Sequence, residues 1–387
     1  MKNQGMNLNR RQAIATGLAA GAAVFWSHPL PAQDAPYRFG LALPLTGPQA
    51  LYGSDQIQAA QWAVAGINKA GGVNGTKLEM IVLDTQADPQ VGIQAINRLV
   101  NVEKVPVLIT AWSVVVKAVA PMINDAKVTG LIVGAQSPSI AKLGDYIYTT
   151  YPLSDVDITA LAKYLVKQGK KKGAVIFVNT EEGIGAAEIY RTAFKAAGGD
   201  IVASETYDPK ASDFTGALLK LRSSNSDTVH VQGQVSDAPQ VIAQMRQLGM
   251  RQTITSFSSI YNPKFIEALG PAAEGVIVTS LAPSAEDSPK VKAYVERWKS
   301  EKGREPNGLP YTQYLYDAPY LIAEVFRQLD KSKTVPTGDT FRKAMLEKKS
   351  FELPLTDAVE ILPNHTVVRP VYLMVVKNGV WTRLATV

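Results

Sequence analysis

Arg38-Phe39-Gly40-Leu41-Ala42-Leu43 opens the stretch that sets the reading of the whole chain. It is a short apolar run. Ser54 to Lys69 follows, with Ile57, Ala60, Val64 and Ile67 on one helical face, and Gly71-Gly72 ends that segment. A second apolar run, Leu78 to Asp84, comes next. Apolar residues three and four apart form one stripe of a helix, glycine ends it, and short unbroken apolar runs mark buried strands. Strand, helix and strand in that order predict a βαβ unit with parallel strands.

The unit recurs. Val105 to Thr110 and Gly130 to Ala135 complete a first set of strands, with a helix opening at Asp88-Pro89 and turning Ile93, Ile96 and Val100 inward. Gly173 to Asn179, Ile201 to Thr206, Thr228 to Val231, Thr253 to Phe257 and Gly275 to Thr279 read as a second set. Tyr148 to Asp157 and Leu281 to Ser288 lack periodicity and read as crossings between two similar lobes. Helices at Pro289 to Lys302, Leu309 to Leu329 and Asp339 to Lys348 are expected to return over the first lobe. Tail strands at Ala358 to Leu362 and Val371 to Val376 are expected to pair with the second. The expected fold is therefore α/β, with two similar lobes, each a parallel sheet flanked by helices, joined by a multi-strand hinge. The first lobe takes residues 36–150 plus 285–350 and the second 151–284 plus 351–387. Open α/β sheets bind ligands beyond the carboxyl ends of their strands, so two such lobes define a cleft for a small molecule.

Residues 1–32 read differently. Arg10 and Arg11 precede an apolar run from Ala13 to Trp26, a small-residue break follows at Leu30-Pro31-Ala32, and the first acid is Asp34. That is the layout of an export signal. Asn9 to Ala15 resembles the twin-arginine motif, although Ala13 stands where a larger apolar residue is usual; an ordinary signal peptide is the alternative. Either way the mature chain is expected in the periplasm. The run is too short and too rich in glycine and alanine for a membrane span, and none like it follows, so no membrane insertion of the mature chain is expected. The 387 residues contain no cysteine, which excludes disulfides, thiolate metal sites and a cysteine nucleophile. The formal charge of +6 falls to +3 without Lys2, Arg10 and Arg11. The remaining charges are interleaved, apart from Lys170-Lys171-Lys172, which argues against nucleic-acid binding.

Beyond these patterns, an ordered set of motifs resembles type I periplasmic solute-binding proteins of ABC transporters, in the branched-chain amino acid group. Leu43-Pro44-Leu45-Thr46-Gly47 with Ala50-Leu51-Tyr52-Gly53 matches the opening motif. Ile67 to Gly75 with Leu78-Glu79 and Asp84 follows, then Ser113 eight residues before Pro121. Ala196 to Gly199, Asp213-Phe214, Gly270 with Ala273 to Val276, and Tyr316-Asp317-Ala318 complete the series. The resemblance spans essentially the whole mature chain. It implies capture of a small solute and its delivery to an inner-membrane ABC permease, without a cofactor or metal.

The resemblance also implies a site. Tyr52, in the loop after the first strand, offers a stacking face and a hydroxyl, or it packs that loop. Ser113 starts a helix after a strand end, where its hydroxyl and nearby N–H groups suit a carboxylate; a plain N-cap role is compatible. Trp112 is a cleft wall or core. The loop after the fourth strand is Gly134-Ala135-Gln136-Ser137-Pro138, with Gln136 at the family's threonine position and Ala135 and Ser137 beside it. Glu182 takes the place of the tyrosine that closes over the ligand. Gln234 aligns with an often aromatic contact, and Ser258 with the acid that pairs the ammonium of amino acid ligands. A buried ammonium needs a paired charge or several acceptors, so the missing acid argues against a standard branched-chain ligand. Glu182 supplies an acid from another wall, or sits solvated at the rim. Amides and aromatic acids remain open beside amino acids.

Gly183-Ile184-Gly185 with Glu205 is a superficial dinucleotide fingerprint, but Asn179 to Glu182 separate it from the strand and Glu188 occupies the last glycine position. Three histidines, His28, His230 and His365, form no metal motif, and no nucleophile elbow occurs. His230 reads as a satisfied core residue. An enzyme is therefore not expected. A ligand sensor presenting its solute to a membrane receptor is the alternative that the sequence leaves open.

Overall fold

The computed structural model describes residues 35–387 except Val235. The export leader expected over residues 1–32 lies outside the described residues. β1 (Tyr37–Leu43), β2 (Leu78–Asp84), β3 (Val107–Thr110), β4 (Thr129–Ile132) and β5 (Ile147–Thr149) form a parallel sheet in the order β2-β1-β3-β4-β5. They are joined through α1 (Ala50–Lys69), α2 (Pro89–Asn97) and α3 (Ser113–Asp125). Along β1, Phe39, Leu41 and Leu43 enter one apolar cluster and Ala42 another, the two-residue alternation of a strand covered on both faces. α2 begins where expected, because the Asp88 carboxylate accepts from Gln90 N and Val91 N ahead of Pro89.

A second sheet runs β14-β13-β10-β9-β8-β6-β7. Its members are β6 (Lys172–Val178), β7 (Asp200–Tyr207), β8 (Thr228–Gln232), β9 (Thr253–Ser256), β10 (Ile277–Ser280), β13 (Tyr372–Lys377) and β14 (Val380–Thr386). The first five are parallel, whereas β13 and β14 add an antiparallel edge. α4 (Ser154–Lys167) and α5 (Glu181–Ala196) pack together against this sheet, and α6 (Thr215–Ser223), α7 (Ala238–Gln247) and α8 (Pro263–Leu269) accompany its other strands. After α9 (Pro289–Lys302) come α10 (Leu309–Lys331) and α11 (Gly338–Lys348). α10 lies along α1, α11 packs on α10 and β4, and Trp298 of α9 meets Trp62 of α1 at 4.7 Å.

Three local expectations need correction. The strand expected at 358–362 shrinks to β12 (Val359–Glu360), which pairs with β11 (Ser350–Phe351) in a separate ribbon rather than with the second sheet. α1 begins at Ala50 rather than Ser54, because Gln49 O accepts from Tyr52 N and Gly53 N and starts the turn early. Tyr52 therefore sits in the first turn of the helix. β4 stops at Ile132 instead of Ala135, since Gly134 has φ +75° and turns the chain out of the sheet. A Cβ at Gly134 would lie 3.2 Å from the Tyr311 ring.

Candidate functional site

In both sheets the strand order reverses at one point, between β1 and β3 in the first and between β6 and β8 in the second. Loops leaving the carboxyl ends on either side of a reversal diverge and leave a crevice. β3 leads through Ala111 and Trp112 into α3 at Ser113, and Trp112 takes the left-handed φ of +62° at that turn. β6 leads into α5, where Thr180 Oγ1 accepts from Gly183 N. A Cβ on Gly183 would fall 2.1 Å from Val178 O, so glycine lets the helix start this close to the strand and sets the position of Glu182.

A cavity of 670 Å³ lies where these loops meet. Ser113, Lys117, Gln136 and Ser137 line one side; Glu181, Glu182, Gln232 and Phe257 line the other. The volume is in the range of small-molecule sites. Lys117 forms an ion pair with Glu181 across the cavity. Ser113 Oγ accepts from Ser137 N at 3.3 Å, tying the α3 start to the loop after β4. Glu182 is reached by solvent along the cavity wall, yet the protein crowded around it dehydrates its carboxyl and raises its pKa above the ordinary value, with Lys117 pulling it back.

Beside the cavity is a buried polar knot. Ser258 Oγ and Tyr311 OH donate to Gln136 Oε1 at 3.3 and 3.2 Å. Asn262 Nδ2 donates to Tyr52 OH at 3.2 Å, and burial pushes the Tyr52 phenol up to about 12. Tyr311 stacks on Tyr151 at 5.0 Å. The start of α1 is anchored by Asp55, which accepts from Arg304 at 2.7 Å and from Asn307 N and Nδ2 at 2.8 Å. Gln136 Nε2 and the Tyr151 hydroxyl are the exceptions here: both are buried and have no partner among the described residues.

Of the residues expected at the site, Ser113, Gln136, Ser137 and Glu182 line the cavity together. Tyr52 and Ser258 lie in the knot. Ala135 is buried in the apolar cluster under α2 and α3, and Trp112 packs against the same cluster. Gln234 is exposed and its N–H is bound to Asp237 Oδ1 at 2.9 Å; it is not among the cavity-lining residues. The polar group that β8 brings to the cavity is Gln232, which the sequence reading passed over. A signal for it existed: Thr228, His230 and Gln232 alternate with Val229 and Val231, which puts the three polar residues on one face. Lys117, one helical turn beyond Ser113, was legible in the same way.

Two facing crevices and one cavity are the geometry of a solute-binding protein, and comparison with known proteins decides the family. The family described as periplasmic binding protein matches residues 36–380. The chain is a member of it. Within this family of solute-binding proteins it is of type I, in the branched-chain amino acid group. This periplasmic binding protein is 26% identical over 319 residues to the leucine-, isoleucine-, valine-, threonine- and alanine-binding protein of Pseudomonas aeruginosa, covering 82% of this chain and 83% of that one. The solute-binding protein of an ABC transporter from Rhodopseudomonas palustris BisB5, solved with 3,4-dihydroxybenzoic acid, is 25% identical with a TM-score of 0.77, covering 91% of this chain and 97% of its own. The substrate-binding protein LivJ of Streptococcus pneumoniae, solved with isoleucine, superposes with a TM-score of 0.79 at 23% identity, covering 91% and 99%.

Proposed function

We propose that this periplasmic binding protein captures a small carboxylate- or amide-bearing solute in the 670 Å³ cavity and delivers it to an inner-membrane ABC permease. The observation that carries the reading is Gln136, a residue of the cavity wall whose Nε2 is a buried donor without a partner among the described residues. Leaving such a donor unmet costs about 1–3 kcal/mol, which a solute oxygen would recover. The Ser113 hydroxyl and the first N–H groups of α3 add a second place for negative charge. Residues 36–150 plus 285–350 form the first lobe in this reading, and 151–284 plus 351–387 the second. Closure then brings the Gln136 loop against Ser258 and the Tyr52 turn against Asn262, and the permease reads the closed form. The leader over residues 1–32 would place the protein in the periplasm by the twin-arginine route. Ligands of both relatives and neighbours, aliphatic amino acids and aromatic acids, carry a carboxylate, in keeping with this choice.

A thermal-shift screen over amino acids, aromatic carboxylates and neutral amides tests the reading. A solute at 100 times its Kd should add about 2.7 kcal/mol and raise Tm by several degrees. Ser113→Ala should weaken the same solute by roughly ten-fold while leaving the unliganded Tm within about 2 °C, because a hydrogen bond to a charged group is worth about 1.5–3 kcal/mol. Unchanged affinity would remove Ser113 from the site.

A further inference from the structure

Gln136, in the loop after β4 of the first sheet, and Gln232, at the end of β8 in the second, both line the cavity. Both have their carbonyl oxygens already engaged by the protein. Gln136 Oε1 takes Ser258 Oγ and Tyr311 OH, and its Nε2 is left buried without a partner among the described residues. Gln232 Oε1 sits 3.0 Å from His230 Nε2, and Thr255 Oγ1 lies 3.1 Å from His230 Nδ1. All three are buried, and His230 stacks on Tyr190 at 4.4 Å. Burial lowers the His230 pKa to about 4, so the ring is neutral at neutral pH and carries one N–H.

The partner set decides which nitrogen carries it. Thr255 Oγ1 has no hydrogen-bond partner other than His230 among the described residues. With hydrogen on Nδ1, the buried threonine hydroxyl would have nowhere to donate. With hydrogen on Nε2, threonine donates to Nδ1 and Nε2 donates to Gln232 Oε1, so every group is satisfied. The Gln232 carboxamide is thereby turned with Nε2 as its free end.

We infer that the solute is read as a hydrogen-bond acceptor from both walls: Gln136 Nε2 and Gln232 Nε2 each take a carboxylate or carbonyl oxygen, and His230 is the positioning residue that orients Gln232. The inference rests on the solute-binding reading above and narrows its ligand to an acid with a second oxygen acceptor. An ammonium-bearing solute would place its donors against these two amides and would have to turn to Asp155 or Glu182, because Glu181 and Glu188, the other acids of the cavity wall, are paired to Lys117 and Arg191.

A matched pair of probes tests this by calorimetric titration. 4-Acetylbenzoate and 4-isopropylbenzoate share a carboxylate and nearly the same shape, and differ in one carbonyl oxygen; leucine serves as the ammonium-bearing control. The acetyl compound should bind at least about ten-fold tighter than the isopropyl one, as one well-placed hydrogen bond allows. His230→Phe keeps a flat ring against Tyr190 but frees the carboxamide to turn, so it should bring that ratio close to one while retaining isopropyl binding. If His230→Phe does not fold, Gln232→Met tests the same ratio. Equal affinities for the pair, or leucine as the sole binder, would overturn the acceptor assignment and leave solute binding standing. A ratio unaltered by His230→Phe would remove its positioning role. Silence from all three probes would overturn the acceptor assignment, whereas the solute reading falls only if the wider thermal-shift screen is silent as well.

Discussion

The knot around Gln136, Ser258, Tyr311, Tyr52 and Asn262 and the cavity around Ser113, Lys117, Glu182 and Gln232 lie side by side, built from loops of the same two sheets. They differ in satisfaction. In the knot, hydroxyls and amides from different parts of the chain answer one another, and the groups are buried apart from the half-buried Tyr52. In the cavity, the Gln232 amide nitrogen and the Glu182 carboxylate have no hydrogen-bond partner among the described residues, and crowding by the protein raises the Glu182 pKa. Polar groups that pair with each other hold surfaces together, whereas polar groups left unpaired beside empty volume are held ready for something else. Gln136 belongs to both regions, with its oxygen in the knot and its nitrogen unmet.

Acidification should break the cavity wall before the knot, and with the largest effect. The groups facing His230 are Thr255, Gln232 and the Tyr190 ring, none of them charged near neutral pH. Its folded pKa of about 4 lies below the ordinary 6.5, so the unfolded chain binds the extra proton. This contribution to stability is whole above pH 6.5 and is lost as pH falls toward 4, on the order of 3 kcal/mol. Urea titrations at pH 7, 5.5 and 4.5 should show the wild type losing more stability than His230→Phe over that range; parallel losses would place the acid sensitivity elsewhere.

Gln136→Leu should come next, because it strikes both regions. It strips two hydroxyls of their shared acceptor and removes the unmet donor, for a loss of about 2–3 kcal/mol in solute binding, roughly 100-fold. Tyr52→Phe touches the knot alone. Removing the contact with Asn262 should weaken binding by about 1 kcal/mol while leaving selectivity among solutes unchanged. A change in selectivity would show that Tyr52 meets the solute. Lys117→Met should do least. Its pair with Glu181 is largely exposed on the glutamate side and worth under about 1 kcal/mol, so the variant should bind slightly more weakly and lose most of the salt dependence of affinity between 50 and 500 mM NaCl.

Much of this architecture was legible in the chain. Runs such as Leu78 to Asp84 and Pro289 to Lys302 appear as elements with those bounds, since an apolar period and a capping residue are local properties. Ser113, Gln136, Ser137 and Glu182 were legible because each follows a strand end. Gln234 misled because alignment counted residues along a loop, and one slip of two positions separates an exposed side chain from the cavity wall. The short β5 and the two-residue ribbon of β11 and β12 carry too few residues for a pattern.

The amino-acid sequence by itself determined the alternation of strand and helix, the placement of loops at strand ends and the family to which the chain belongs, because periodicity, caps and glycine punctuation act within a few residues of themselves. Only the tertiary structure decided which loops face one another, that the oxygens of Gln136 and Gln232 are taken by Ser258, Tyr311 and His230, and that their nitrogens have no partner among the described residues. Hydrogen-bond partners lie as far apart in sequence as Gln136 and Tyr311. Satisfaction of a buried polar group is a property of the packed neighbourhood, and no local pattern carries it.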